Sequence, residues 1–315
     1  MDKTDPDVRA GLFALNYSIT VDIIIVNLNG KNFLEKCLPS IYASTDGVLF
    51  KIVIIDNGST DGSDEWVESE YPEIIWIQNE VNTGFSRACN QGIKRTNGQY
   101  ILFLNNDTEL LNNLVWKLKS FLESNRNAGV VGPRILYPDR SIQASIKYYP
   151  PVWKFALQQL GIASLLLPKK KLYFPFGPFN QSDYQTTHTV DWLSGACMMF
   201  KRTLADSIGL LDEQMPFGVD DLDFCKRAEL AGYKNYYIHD AELIHNKGGS
   251  HDRGSYLTQN PYVLSAYKQG IKEYFRKYHS VAGYGIVKLS MFFGDLLRKA
   301  GRFGYRLIRV QNARE

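Results

Sequence analysis

The sequence predicts an α/β fold organised around a mainly parallel sheet. Three observations lead there: short apolar runs bounded by turn residues recur through the first half, stretches with helical spacing separate them, and amide or acidic residues stand where several runs stop. The first run, "IIIV" at 23–26, reads as a buried strand, breaks at the Asn-Gly pair 29–30 and resumes as the amphipathic "NFLEKCLPSIYAS". The runs "KIVII" at 51–55, "IIWI" at 74–77, "YILFL" at 100–104 and "GVVG" at 129–132 repeat the pattern. Between them, "SDEWVESEY", "FSRACNQGIKRT" and "ELLNNLVWKLKSFLESN" read as helices. From about 133 to 190 the pattern loosens into Pro, aromatic and Lys residues, and an insertion or mobile loop is expected. Order returns with a strand and helix in "VDWLSGACMMFKRTLADSIG", then a turn, an acidic helix start and a strand in "PFGVDDLDFCKRAELAGYKNYYI". Ligands of open α/β sheets bind outside the carboxyl ends of the strands, so the loops after 26, 55 and 104 are expected to converge on one crevice.

Composition bounds the function classes. At 315 residues, 44% hydrophobic and 22% charged, the chain suits one large core or two unequal ones and is not disordered. A net charge of +3 gives no whole-chain reason for a nucleic-acid partner. Cys37, Cys89, Cys197 and Cys225 are widely spaced without a CxxC pair, which fits reduced, packed thiols in a cytosolic protein. The start, "MDKTDPDVRAGLFALNYS", lacks the apolar core of a signal peptide, and no run reaches the roughly 20 apolar residues that span a bilayer.

Four segments hold candidate chemistry. In "IIDNGSTDGS" a carboxylate at a strand end can accept hydrogen bonds from a nucleobase or ribose, yet this segment alone favours a plain Asx turn capping the helix at 64. "FLNNDTEL" places Asn105, Asn106 and Asp107 at a strand end, where Asp107 either binds a hard cation beside phosphate oxygens or caps a helix starting near Glu109. Asp220, Asp221 and Asp223 cluster at a helix start, where the dipole gives one or two of them a structural role. Three acids in four positions exceed what capping needs, and a carboxylate beside others gains proton affinity, which suits a general base. His245 follows a strand and precedes a glycine-rich loop; a lone His is ordinarily structural unless a second ligand is near.

Taken in order, strand-"NLNG", "IIDNGSTDGS", "NTGFSRACNQGI", "FLNNDTEL", "DWLSGACMMFKR", "LLDEQMPFGVDDLDFCKRAELAGY" and "IHNKGGS" resemble the inverting family-2 glycosyltransferases of GT-A fold, especially rhamnosyltransferase-like bacterial members. The resemblance covers about residues 19–250, leaving 1–18 as an N-terminal extension and 251–315 as a helical, basic extension. It implies a nucleotide-sugar donor held by Asn27, Leu28, Asn29, Asp56, Asn57, Gly84, Phe85 and Asn106. It implies Mg or Mn on Asp107 and His245, a sugar and acceptor pocket at Trp192, Gly195 and Asp220, and Asp221 as the general base. Two positions depart from the family: Asn105 stands for the first acid of a strict DxD, and Asp220 for the usual Glu. A sugar nucleotidyltransferase is the rival enzyme class, but "NLNGKNFLEK" has a single Gly where a triphosphate loop needs several. A non-catalytic nucleotide- or glycan-binding homologue is the other rival.

The tail, residues 285–310, carries apolar residues at 289, 292, 293, 296, 300, 303 and 307 with six basic residues and one acid, Asp295. Such a helix either lies on an anionic membrane or packs on the catalytic domain or a second copy. With "LLLPKKKLYF" at 165–174 it points to a lipid-linked acceptor at the cytoplasmic face of the plasma membrane.

Overall fold

The computed structural model describes residues 21–149, 151–162, 181–215, 218–246 and 261–311. The N-terminal extension, the 165–174 segment and the glycine-rich loop after 246 lie outside the described residues.

Four strands, β1 (Val21–Asn27), β2 (Phe50–Asp56), β3 (Ile75–Gln78) and β4 (Tyr100–Asn105), run parallel in the order β3-β2-β1-β4. Helices α1 (Lys31–Ala43), α2 (Ser63–Glu70) and α3 (Phe85–Lys94) make the crossovers, as the alternating pattern predicts. Because side chains alternate along a strand, β1 sends Ile23 and Ile25 to a core with α1 and Ile24 to a core with α3. Burying either layer removes whole aliphatic side chains from water, each contributing roughly 1.5–3 kcal/mol. Gly92 lets α3 sit close on that sheet, since a Cβ there would stand 2.7 Å from Ile24 and 2.8 Å from Ile55.

Beyond β4 the sheet turns mixed. β11 (Cys197–Lys201) pairs antiparallel with both β4 and β6 (Ala128–Leu136), and β12 (Lys234–His245) runs parallel to β6. The far edge is β5 (Thr108–Leu111), antiparallel to β12. This edge corrects the expected helix from Glu109: Asn112 and Asn113 hold left-handed φ values of 52° and 53°, and α4 (Leu114–Ser124) begins only after them. His245 is likewise not beyond its strand. It is the strand's last residue, opposite Thr108, because β12 continues through an irregularity between Ile238 and Glu242.

Residues 133–190 are not simply a loop. They include the end of β6, the two-residue strands β7 (Ile142–Gln143) and β8 (Ile146–Lys147), the helix α5 (Val152–Gln159) and β9 (His188–Val190). β8 pairs with β10 (Trp192–Leu193), and strands this short leave no readable period. After β11 come α6 (Arg202–Ile208), the acidic-start helix α7 (Asp220–Leu230), α8 (Pro261–Tyr278) and α9 (Val281–Gln311). α9 packs on α5 and α8 and buries Val287, Ser290 and Met291; a Cβ on its Gly294 would fall 2.1 Å from the Gln159 carbonyl oxygen of α5. The predicted stripe at Leu289, Phe292, Phe293 and Leu296 is therefore the exposed face of this helix. All four cysteines are buried and unpaired, and burial pushes the Cys37 thiol up to about 12.

Candidate active site

Strand register sets the first layer of the site. Asn27 lies opposite Asp56, and Val26 opposite Asn105, so three strands end side by side. Asn27 Nδ2 donates to Asp56 Oδ2 at 2.9 Å, and Asn106 Nδ2 donates to Asn27 Oδ1 at 2.8 Å. Gly30 leaves room for this chain, since a Cβ there would meet Asn106 Nδ2 at 2.1 Å and Asn27 Oδ1 at 2.5 Å. Asn29, left-handed at φ 48°, accepts the Thr60 N–H through its side chain, and Leu28 stays exposed.

Asp56 is fully buried and closes the turn after β2. Its Oδ1 accepts from the Gly58 and Ser59 N–H groups and from Gln78 Nε2, and its Oδ2 from Asn27 and the Ser59 hydroxyl. Five accepted bonds use its lone pairs, so this carboxylate shapes the crevice wall. It is an Asx-type turn but it does not cap α2, whose first N–H, that of Ser63, is accepted by Asp61 ahead of the N-cap Gly62. Asn57 Oδ1 accepts from Asn79 and the Thr83 hydroxyl, which tethers the loop entering α3. Gly84 opens that helix at φ 84°, ψ 166°, a conformation that excludes side chains. Phe85 packs edge-on against Phe103.

Asp107, in the turn between β4 and β5, meets His245 at the end of β12. His245 Nε2 stands 3.1 Å from Asp107 Oδ1, both residues buried, and Asn246 N–H donates to the Asp107 carbonyl. With α4 starting at Leu114, the capping alternative for Asp107 falls away. An anionic oxygen facing an imidazole nitrogen suits a divalent cation whose remaining positions are filled by phosphate oxygens or water. Among the described residues no group of three or more His, Cys, Asp and Glu side chains gathers, so the protein would supply these two ligands.

The acids at 220–223 divide their work. Asp223 is fully buried and pairs with Arg227 at 2.8 Å, with Lys277 at 2.8 Å and with the Tyr278 hydroxyl at 2.6 Å, clamping α7 to α8. Asp220 accepts from the Ser86 hydroxyl and the Gly218 N–H, and burial together with the neighbouring Asp221 charge pushes it up to about 7. Asp221 is raised by burial as well, but the Lys147 ammonium and the N–H groups of Gly195 (2.9 Å) and Leu222 (2.8 Å) oppose that rise. Asp220 thus keeps a proton that Asp221 releases first, and an ionised Asp221 can take a proton from a hydroxyl.

One loop joins the halves: Ala196 accepts the Asn105 N–H while its neighbour Gly195 donates to Asp221. Trp192, at 1% exposed, backs this loop within the core; its indole donates to the Tyr148 carbonyl and Lys147 lies 4.1 Å over its ring. Ser86, Lys147 and Gln143 were not singled out from sequence, and only Ser86 lay inside a quoted motif.

The family model described as Glycosyl transferase family 2 matches residues 22–209. N-acetylglucosaminyl-diphospho-decaprenol L-rhamnosyltransferase of Mycobacterium tuberculosis is 25% identical over 247 residues, covering 73% of this chain and 77% of that protein. Rhamnosyltransferase WbbL of Escherichia coli is 24% identical over 267 residues, covering 81% and 91%. Mannosyltransferase PcManGT of Pyrobaculum calidifontis, solved with GDP-Man and Mn2+, superposes with a TM-score of 0.56 at 15% identity, covering 95% of this chain and 81% of that one. That likeness shows the fold, the GT-A fold expected from the motifs.

Proposed function

The chain belongs to glycosyl transferase family 2, and we propose that this glycosyltransferase moves a hexosyl or rhamnosyl group from a nucleoside-diphosphate sugar to a hydroxyl of a glycan or lipid-linked acceptor in cell-surface polysaccharide synthesis. The observation that carries the reading is the Asp221 carboxylate, held by the Gly195 N–H on the loop bonded to Asn105, two residues before Asp107. The donor's base and ribose rest on the wall built by Asn27, Leu28, Asn29, Asp56 and Asn57, with Gly84 and Phe85 at its edge and Asn106 toward the phosphates. Asp107 and His245 would hold a divalent cation, Mg or Mn, which would supply charge neutralisation at the departing diphosphate. Asp221 accepts the acceptor's proton as that oxygen bonds to the anomeric carbon, and the bond to the diphosphate breaks on the opposite face with inversion. Gly195 and Asp220 border the acceptor side, and Trp192 supports it from behind. The printed names of the mycobacterial and E. coli relatives support the sugar class, and the diphospho-decaprenol in the former supports a lipid-linked acceptor.

The test is release of nucleoside diphosphate from a panel of nucleotide sugars, with and without lipid-linked acceptor. Asp221→Asn should lower transfer at least about a hundredfold with donor binding nearly intact. Turnover within a few-fold of wild type would assign the base elsewhere, and absence of release from every donor would leave the binding-homologue reading.

Placement follows from α9. Among the described residues no helix is long and apolar enough to cross a membrane. The face bearing Leu289, Phe292 and Leu296 is 54–64% exposed, and residues 285–310 hold six Lys or Arg against one Asp. An exposed apolar face and a basic sequence favour contact with anionic headgroups, so we infer that α9 rests peripherally on the inner leaflet of the plasma membrane.

A further inference from the structure

We propose that Gln143 is a positioning residue that fixes His245 in the tautomer whose Nε2 lone pair faces Asp107. The inference rests on the reading of Asp107 and His245 as cation ligands, and it adds the residue that makes His245 fit to be one.

Gln143 is buried on the short strand β7, and register places it precisely enough to reach His245: Gln143 lies opposite Ile135 on β6, which in turn lies opposite Leu243 on β12. Its amide meets His245 twice. Nε2 donates to the His245 carbonyl oxygen at 3.4 Å, and Oε1 stands 2.7 Å from His245 Nδ1. Turning the amide over would set oxygen against the carbonyl oxygen, so the observed orientation is the one both contacts favour. An amide oxygen only accepts, and therefore Nδ1 carries the hydrogen. In the neutral ring the other nitrogen, Nε2, then bears a lone pair.

Nε2 faces Asn105 Nδ2, a donor 3.4 Å away, and Asp107 Oδ1, which only accepts when ionised, 3.1 Å away. A lone pair on Nε2 is held against that carboxylate by a cation beside them; with no cation bound, a second ring proton on Nε2 makes the same contact, and in either case Nδ1 keeps its hydrogen toward Gln143. Without Gln143 the ring is free to carry its hydrogen on Nε2, donate it to Asp107 and offer the cation nothing. Asn105, standing where a strict DxD has an acid, acts here as a donor that accepts this tautomer.

The experiment uses the full chain with ring-15N histidine and long-range proton–nitrogen correlation at pH 8, the His245 signals assigned through His245→Gln. Wild type should show a protonated Nδ1 and a pyridine-like Nε2. Gln143→Leu should shift the ring toward the Nε2–H form, and Gln143→Glu, which gives up the bond to the His245 carbonyl but keeps an acceptor at Nδ1, should keep the hydrogen on Nδ1. Mn2+ alone, titrated by electron paramagnetic resonance, should bind about 10–100-fold more weakly to Gln143→Leu and within a few-fold of wild type to Gln143→Glu. An Nε2–H tautomer in wild type, or a Gln143→Leu ring indistinguishable from wild type, overturns the proposal. Should Gln143→Leu not fold, the wild-type tautomer and the Gln143→Glu titration still decide. Absence of Mn2+ binding to wild type would instead refute the cation reading, and the tautomer would still judge Gln143.

Discussion

Asp220→Asn isolates the electrostatic cost of placing two acids at the start of α7. In the folded chain Asp220 is pushed up to about 7, first by burial and then by the Asp221 charge. In the unfolded chain an Asp ionises near pH 4. The folded state therefore holds an extra proton between about pH 4 and pH 7, and the stability tied to it is present below that window and lost as pH rises through it. A displacement of that size is worth at most about 4 kcal/mol. The amide suits the site: its oxygen can accept the Gly218 N–H and its nitrogen can donate to the Ser86 hydroxyl, replacing contacts of 3.2 and 3.3 Å. Urea unfolding of wild type and variant at pH 4.5 and pH 8 measures the effect. The variant should gain on wild type as pH rises, by up to about 4 kcal/mol at pH 8. A kinetic readout separates the two acids, because Asp220 is already neutral when Asp221 ionises and the acid limb of the transfer profile should stay in place in the variant. A stability difference equal at both pH values, or an acid limb moved to lower pH, would refute the picture in which Asp220 holds its proton while Asp221 ionises.

Mg or Mn should tighten nucleoside-diphosphate binding, and Asp107→Ala should remove most of that gain in calorimetry; equal affinity with and without chelator in wild type would reject the site. Gly30→Ala should weaken donor binding and also lower the unfolding midpoint, since its Cβ displaces the bonds that join Asn106 to the fully buried Asn27 and Asp56; unchanged donor affinity would remove Asn106 from that wall. Removing residues 285–315 is a poor test of α9, because Val287 and Met291 are buried and their loss opens the core. Phe292→Ser with Leu296→Ser spares that packing and should reduce sedimentation with anionic liposomes, high salt weakening wild-type binding only in part. Loss of a dimer in solution without loss of liposome binding would assign the face to a second copy.

What the sequence determined was whatever depends on neighbours along the chain. Alternating apolar runs and helical spacings specified β1 to β4 and their crossovers, and parallel strands of that order must bring Asn27, Asp56 and Asn105 to one edge. Ordered motifs likewise pointed to Asp107, Asp221 and His245. The tertiary structure decided what depends on partners far along the chain. Residues 108–111 carry helix-compatible spacing, yet pairing with β12 makes them a strand and frees Asp107 from capping. Three acids look alike in "DDLD", but only contact with α8 assigns Asp223 to packing and only Gly195 and Lys147 distinguish Asp221 from Asp220. Gln143 sits in a two-residue strand with no period of its own, and its bond to a histidine 102 positions away exists only once β6 lies between them. In α9 the apolar residues occur around most of the helix, so hydrophobicity alone could not choose the packed face; the approach of Gly294 to Gln159 did, because only a residue without a side chain lets the two helices come that close.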